Sequence, residues 1–209
     1  MHKTFFIIVF ICFGIHCVVA QKVLEKEFAA EGLHALYIED DAIFKIEIFA
    51  SKRETIQIKA KISGEHSEAI IIEENFLNGT LSLKTGLMPY FAFENDKLAA
   101  HKLMAVEIML FIPENISVKI KSELASLEAT GNIKKLAVSL QNGSCTLTNF
   151  LGNAHLKTAN GDISVLAKMH VSGRAISKHG TVNNTLPKDG RFLIEAESVN
   201  GNIMLLQTK

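Results

Sequence analysis

Four glycines in the second half of the chain, in Asn142-Gly143, Asn160-Gly161, His179-Gly180 and Asn200-Gly201, follow one another at spacings of 18, 19 and 21 residues. The residues around them keep the same register. Two positions after each glycine stand Cys145, Ile163, Val182 and Ile203; four positions after stand Leu147, Val165, Asn184 and Leu205; five positions before stand Val138, Leu156, Ala175 and Ala196. Only Asn184 interrupts these apolar columns. A second series, Gly131, Gly152, Gly173 and Gly190, falls between the first, so each repeat has room for two corners and two short strands. A unit this small cannot enclose its own apolar side chains, whereas stacking the next unit on it buries a shared column. The expected fold is therefore all-β, a single-stranded parallel β-helix (β-solenoid) with short Asn-Gly corners. The alternative is an antiparallel β-sandwich in which each Asn-Gly closes a hairpin. Hairpins alone do not require columns at a nearly fixed spacing.

The first half alternates with period two, as in Phe44-Lys45-Ile46-Glu47-Ile48, Ile56-Gln57-Ile58-Lys59-Ala60-Lys61-Ile62 and Leu81-Ser82-Leu83, which reads as half-buried strands. Asn78-Gly79 signals a tight turn, because both residues accept positive φ. Leu24 to Ala30 and Glu94 to Met104 are the two stretches that offer a helix. From Gly86 to Lys102 the alternation is lost, and Met88, Pro89, Tyr90, Phe91 and Phe93 crowd into a loop, cap or short helix. Strand pattern resumes at Val106 to Ile112 and at Ile116 to Ile120, on either side of Pro113-Glu114-Asn115.

Residues 1–20 read as a secretory signal peptide: His2 and Lys3 lead into the apolar run Thr4 to Val19, which ends at Val18-Val19-Ala20. On this reading residues 21–104 form an N-terminal β region with a loop or cap at 86–102, and 105–209 form the repeat region of the same domain. Removing the leader takes away Lys3 and no acid, which leaves 21 basic against 22 acidic side chains. Such a balance implies neither nucleic acid nor an acidic membrane surface as partner. No stable membrane span remains after cleavage. Cys12 and Cys17 lie in the leader, so Cys145 stands alone and no intramolecular disulfide forms. The expected location is the periplasm, the outer-membrane surface or the extracellular space.

Pro113-Glu114-Asn115-Ile116-Ser117-Val118, Gly131-Asn132-Ile133, Gly143-Ser144-Cys145-Thr146-Leu147, Asn160-Gly161-Asp162-Ile163-Ser164-Val165 and Asn200-Gly201-Asn202-Ile203 together resemble the bacterial putative-adhesin domains, including the head domain called GIN. The resemblance covers about residues 105 to 206 and implies an exported single-stranded β-helix with an adhesive role. His179-Gly180 and the insertion Asn183 to Asp189 depart from the pattern and mark an irregular penultimate rung.

Candidate chemistry is sparse. Asn142, Asn160 and Asn200 form a candidate turn ladder whose stacked amides could meet glycan hydroxyls, although turn chemistry accounts for them as well. Asp162 does not make a calcium repeat, because the matching positions carry Ser144, Thr181 and Asn202. His155, His170 and His179 lack close ligand spacing, and neither a metal nor a cofactor is implied. Lys157, Lys168, Arg174 and Lys178 are scattered without an evident carboxylate cluster, so no enzyme is expected. Cys145 sits in an apolar column as a buried thiol. Tyr90, Phe91 and Phe93 are the candidate partner contacts, with capping of an open sheet edge as the competing role.

The expected function is thus an exported, non-catalytic, adhesin-like interaction module. Its partner would be an envelope protein, a glycan or a second copy of the chain. A carbohydrate-active β-helix enzyme and a structural spacer are the alternatives.

Overall fold

The computed structural model describes residues 21–64, 66–91 and 105–208. The expected signal peptide, Phe93 and the possible helix Glu94 to Met104 lie outside them. The described residues form one sheet of 15 strands and one short 3-10 turn, Ser67–Ala69. The strands are β1 (Gln21–Ala29), β2 (Ala35–Glu39), β3 (Ile43–Ser51), β4 (Thr55–Ser63), β5 (Ile70–Leu77), β6 (Thr80–Leu87), β7 (Ala105–Pro113), β8 (Ser117–Ser122), β9 (Ser126–Leu140), β10 (Cys145–Thr158), β11 (Ile163–Ala167), β12 (Val171–Ser177), β13 (Val182–Asn184), β14 (Phe192–Ser198) and β15 (Ile203–Gln207).

The two longest strands explain how one sheet encloses a core. The first half of β9 pairs with β3 and its second half with β8, while the first half of β10 pairs with β11 and its second half with β14. Each therefore crosses from one stack of strands to another at its glycine, Gly131 (φ 106°) or Gly152 (φ 149°). The first stack runs β1-β4-β7-β3-β9-β10-β11-β15-β13 and the second β5-β6-β2-β8-β9-β10-β14-β12. Between them lies a single core. Ile46, Leu127, Cys145, Ile163 and Ile203 align across one stack and Leu36, Val118, Leu136, Ala154 and Ile194 across the other. The period-two alternation supplies these inward residues directly.

The solenoid-like reading holds for the repeats, where every pairing from β8 onward is parallel, rather than the hairpin pairing of a sandwich. A purely parallel β-helix does not hold for the whole chain. β1–β4, β4–β7 and β5–β6 are antiparallel, so the sheet is mixed. Asn78 (φ 49°) and Gly79 (φ 71°) make the expected tight turn of the β5–β6 hairpin.

Leu24 to Ala30 is not a helix: Leu24 to Ala29 belong to β1, and Ala30 follows it. The edge position of this strand explains its weak alternation. Lys22 donates to the carbonyl oxygens of Glu68 (2.7 Å) and Ile70 (2.9 Å), and Lys26 pairs with Glu74 at 2.9 Å. These cations replace two apolar positions and discourage pairing with another sheet. At the opposite end, Asn184 donates to Gly173 O (2.8 Å), Gly173 donates to Pro187 O (3.2 Å), and Leu186 is buried over the core. The insertion after Asn183 is thus an end plug. The rung containing it is displaced as well: β14 and β15 pair with β10 and β11, and β12 and β13 stack outside them.

Candidate interaction surface

The corners at Asn142, Asn160 and Asn200 are built from three ladders. On the outside, Asn160 Nδ2 donates to Asn142 Oδ1 (2.9 Å) and Asn200 Nδ2 donates to Asn160 Oδ1 (2.7 Å). On the inside, hydroxyls bond the carbonyl of the adjoining rung: Thr158 to Gly143 O, Ser198 to Gly161 O and Ser177 to Gly201 O. Beside these, Ser126, Ser144, Asp162 and Asn202 accept from the main-chain N–H of Ser144, Asp162, Asn202 and Thr181 respectively. Asp162 is one step in this ladder.

The glycines of these corners do not adopt the left-handed φ that Asn78-Gly79 uses. Their requirement is room. A Cβ at Gly143 would stand 1.9 Å from Ala125 O, at Gly201 1.9 Å from Gly161 O, and at Gly180 2.0 Å from Gly201 O. The candidate Asn residues therefore spend amide hydrogen bonds on one another, and the glycines let the rungs close up.

Tyr90 is fully exposed and has a φ of 67°. Phe91 is half-buried, with its ring centroid 5.4 Å from that of His66. The structure therefore separates the two: Tyr90 projects outward, and Phe91 leans on the turn before β5.

Sequence reasoning passed over the other tyrosine. Tyr37 points outward from β2 between two buried neighbours, Leu36 and Ile38, as the alternation requires. Its hydroxyl donates to Glu39, whose carboxylate also accepts from Lys121 at 2.6 Å, and the ammonium of Lys119 lies 5.2 Å from the ring centroid. The hydrogen bond to the Glu39 carboxylate raises the Tyr37 pKa. Bonds from Lys121 and Tyr37 hold the Glu39 carboxyl below its ordinary range, and the bond to Glu39 raises Lys121. On one side of Tyr37 is a groove of about 560 Å³ lined by Glu73, Glu74, Ser82 and Lys84; on the other is a trough of about 400 Å³ over Ala35, Thr80, Ser117 and Ala137, flanked by Lys119 and Lys135. Small residues form the floor of the trough, so Tyr37 is a ridge between two depressions.

Further along the same outer face, His155 Nδ1 lies 3.6 Å from Glu195, Arg174 reaches Glu195 at 4.0 Å, and Lys157 pairs with Glu197 at 2.9 Å. Lys157 and Arg174 are thus not scattered: β14 brings two carboxylates beside them. His170 and His179 lie elsewhere, at the corner before β12 and in the glycine corner after it. Among the described residues no group of three or more His, Cys, Asp or Glu side chains is placed to hold a metal. Cys145 is buried, and burial pushes its thiol pKa up to about 12. No helix among the described residues is long and apolar enough to cross a membrane.

Parallel rungs and glycine corners together define the repeat region. Residues 114–208 match the Toastrack DUF4097 family model. The Toastrack match spans the strands from β8 to β15 and leaves the N-terminal strands outside it. No curated protein matches the chain. Among solved structures, a putative cell adhesion protein from Clostridium sporogenes ATCC 15579 is similar with 18% identity and a TM-score of 0.65, over 90% of this chain and 100% of its own. That likeness is one of fold. A putative adhesin from Bacteroides fragilis NCTC 9343 has 14% identity and a TM-score of 0.39, over 88% of this chain and 97% of its own. A putative adhesin from Parabacteroides distasonis ATCC 8503 has 10% identity and a TM-score of 0.35 over the same shares.

Proposed function

We propose that the protein is an exported, non-catalytic, adhesin-like display module that recognises a surface glycan or another envelope protein through the outer face around Tyr37. The observation that carries this reading is the Tyr37 ridge, an aromatic ring fixed by Glu39 and Lys119 between two open depressions. A ring already held in place loses little freedom on binding, which makes it a suitable anchor. The continuous core beneath it supplies the rigidity. The leader-like run Thr4 to Val19 supports export to the periplasm, the outer-membrane surface or the exterior. The name of the Clostridium sporogenes protein of similar fold agrees with an adhesive role. The parallel rungs support reading residues 117–207 as β-helical.

The test is binding of the full chain to an array of bacterial and host glycans and to envelope extracts, with Tyr37→Ala and Tyr90→Ala/Phe91→Ala variants alongside. Specific binding that falls at least tenfold in a folded Tyr37→Ala variant is the expected result. Loss only with Tyr90→Ala/Phe91→Ala moves the site to the β6 end. Absence of binding by folded protein leaves the spacer role.

A second reading, a carbohydrate-active enzyme of β-helix type, is favoured by one observation: the grouping of His155, Arg174, Glu195, Lys157 and Glu197 on an outer face. Release of oligosaccharides from acidic polysaccharides, abolished by Glu195→Gln, would establish it over the display role.

A further inference from the structure

At the corner opposite the Asn-Gly ladders, an open groove of about 490 Å³ is lined by Asn149, Leu151, Lys168, Met169, His170, Arg191, Phe192 and Thr208. The local fold explains why space remains there. β10 bulges between Leu147 and Phe150 and again on both sides of Leu151, so its register against the neighbouring strands shifts there. Asn149 (φ 50°) and His170 (φ 69°) turn the chain away in the left-handed conformation. Three main-chain bonds hold the walls together: Lys168 to Phe150 O (2.8 Å), Phe192 to His170 O (3.2 Å) and Thr208 to Ala167 O (2.7 Å).

The lining is one-sided in charge. It contains two permanent cations and an imidazole, and no acid among the described residues. Lys168 Nζ donates to Asn132 Oδ1 (3.0 Å), and Asn132 in turn donates to Glu114 (2.9 Å). This places the ammonium and leaves two of its three N–H groups for another acceptor. The Arg191 guanidinium lies 5.3 Å from the Phe192 ring centroid, an arrangement that spends its face on the ring and keeps its N–H edge available. Thr208 Oγ1 is buried without a hydrogen-bond partner among the described residues. A buried hydroxyl without a partner is costly, so it favours a ligand or water that supplies one. Leu151, Met169 and Phe192 provide an apolar wall, and Met169 is exposed despite its apolar side chain.

We propose that this corner binds the carboxylate of an amphiphile, with the head group between Lys168 and Arg191 and the apolar body along Leu151, Met169 and Phe192. The site is separate from the Tyr37 face and does not depend on the function proposed for it.

The experiment is calorimetric titration of the full chain with decanoate, decanol and inorganic sulfate, and co-sedimentation with phosphatidylglycerol vesicles. Decanoate should bind, decanol and sulfate at least tenfold more weakly. Arg191→Gln and Lys168→Ala should each weaken decanoate at least fivefold while the far-ultraviolet circular dichroism stays unchanged. Thr208→Val gives an independent readout: the free variant should melt higher than the parent, and its stabilisation by decanoate should shrink. Equal binding of sulfate and decanoate, decanoate binding unaffected by Arg191→Gln and Lys168→Ala, or vesicle binding without decanoate binding would each overturn the proposal.

Discussion

Gly161 lies against the main chain of Gly143, so closely that a Cβ on Gly161 would stand 2.1 Å from the Gly143 carbonyl oxygen. Backbone cannot move aside as a side-chain tip can. Gly161→Ala should therefore push two rungs apart and cost about 1–3 kcal/mol or more. Gly32 is the control, because its φ is +72° but none of the described residues beyond its chain neighbours lies within 4 Å of its Cβ position. Gly32→Ala should cost only the left-handed strain, about 1–2 kcal/mol. Urea denaturation of both variants, with Gly161→Ala the less stable, is the expected result.

Asn160 sits in the middle of the amide ladder, donating to Asn142 and accepting from Asn200. Asn160→Ala removes both bonds at an exposed corner and should cost about 1 kcal/mol. Asn160→Asp keeps the acceptor and loses the donor, placing a carboxylate against Asn142 Oδ1. That repulsion raises the carboxyl pKa of the folded variant. The variant's stability relative to the parent should therefore recover as pH falls through about 4, where the protonated acid donates again. Denaturation at pH 7 and pH 3 distinguishes the two substitutions.

Cys145 has a folded-state pKa of about 12 against an ordinary value of 9.0, because burial disfavours the thiolate. Its contribution is fully present below pH 9, where folded and unfolded chains both keep the proton, and is lost between 9 and 12 as only the unfolded thiol ionises. The loss is about 1.4 kcal/mol per pH unit. Cys145→Ala should lower stability at pH 7 and flatten the slope above pH 9. A thiol reagent should label the parent at the unfolding rate.

Phe150 is fully buried at the first bulge of β10. It fills the place where the strand leaves one stack for the other. Phe150→Ala should cost about 3–5 kcal/mol by lost transfer energy and the residual cavity. A guanidinium midpoint that moves with an unchanged slope would identify this as cavity formation, and Phe150→Leu should recover much of the loss.

The columns were legible because parallel stacking aligns each residue with one about a repeat away: Cys145 faces Ile163, and Leu156 faces Val138 and Ala196. Which rung touches which was not legible. Periodicity gives alignment but not order, and nothing in the spacing of Gly161, Gly180 and Gly201 says that the Gly201 rung stacks directly on the Gly161 rung. The same Asn-Gly pair also serves two physical ends, a left-handed turn at Asn78-Gly79 and close approach at Asn160-Gly161, and composition cannot separate them. β1 was misread because Lys22 and Lys26 occupy inward positions that a sequence pattern expects to be apolar.

The surface was harder to read for a related reason. Glu195 is 40 residues from His155, and only the pairing of β10 with β14 makes them neighbours. Tyr37 carried a usable signal, since it alternates between Leu36 and Ile38 and must face out.

The insertion of β14 and β15 between earlier strands means that the order of synthesis is not the order of assembly. When the segment through Asn184 leaves the ribosome, the slot beside β10 and β11 is still empty, and β12 and β13 have nothing to rest on. A chain halted before Phe192 would therefore lack an interior layer rather than a terminal one. Duplicating a repeat at this end would not simply lengthen the stack, as it does in an ordinary solenoid. The strand pair β14 and β15 enters a gap whose two sides, β10–β11 and β12–β13, both precede it in the chain.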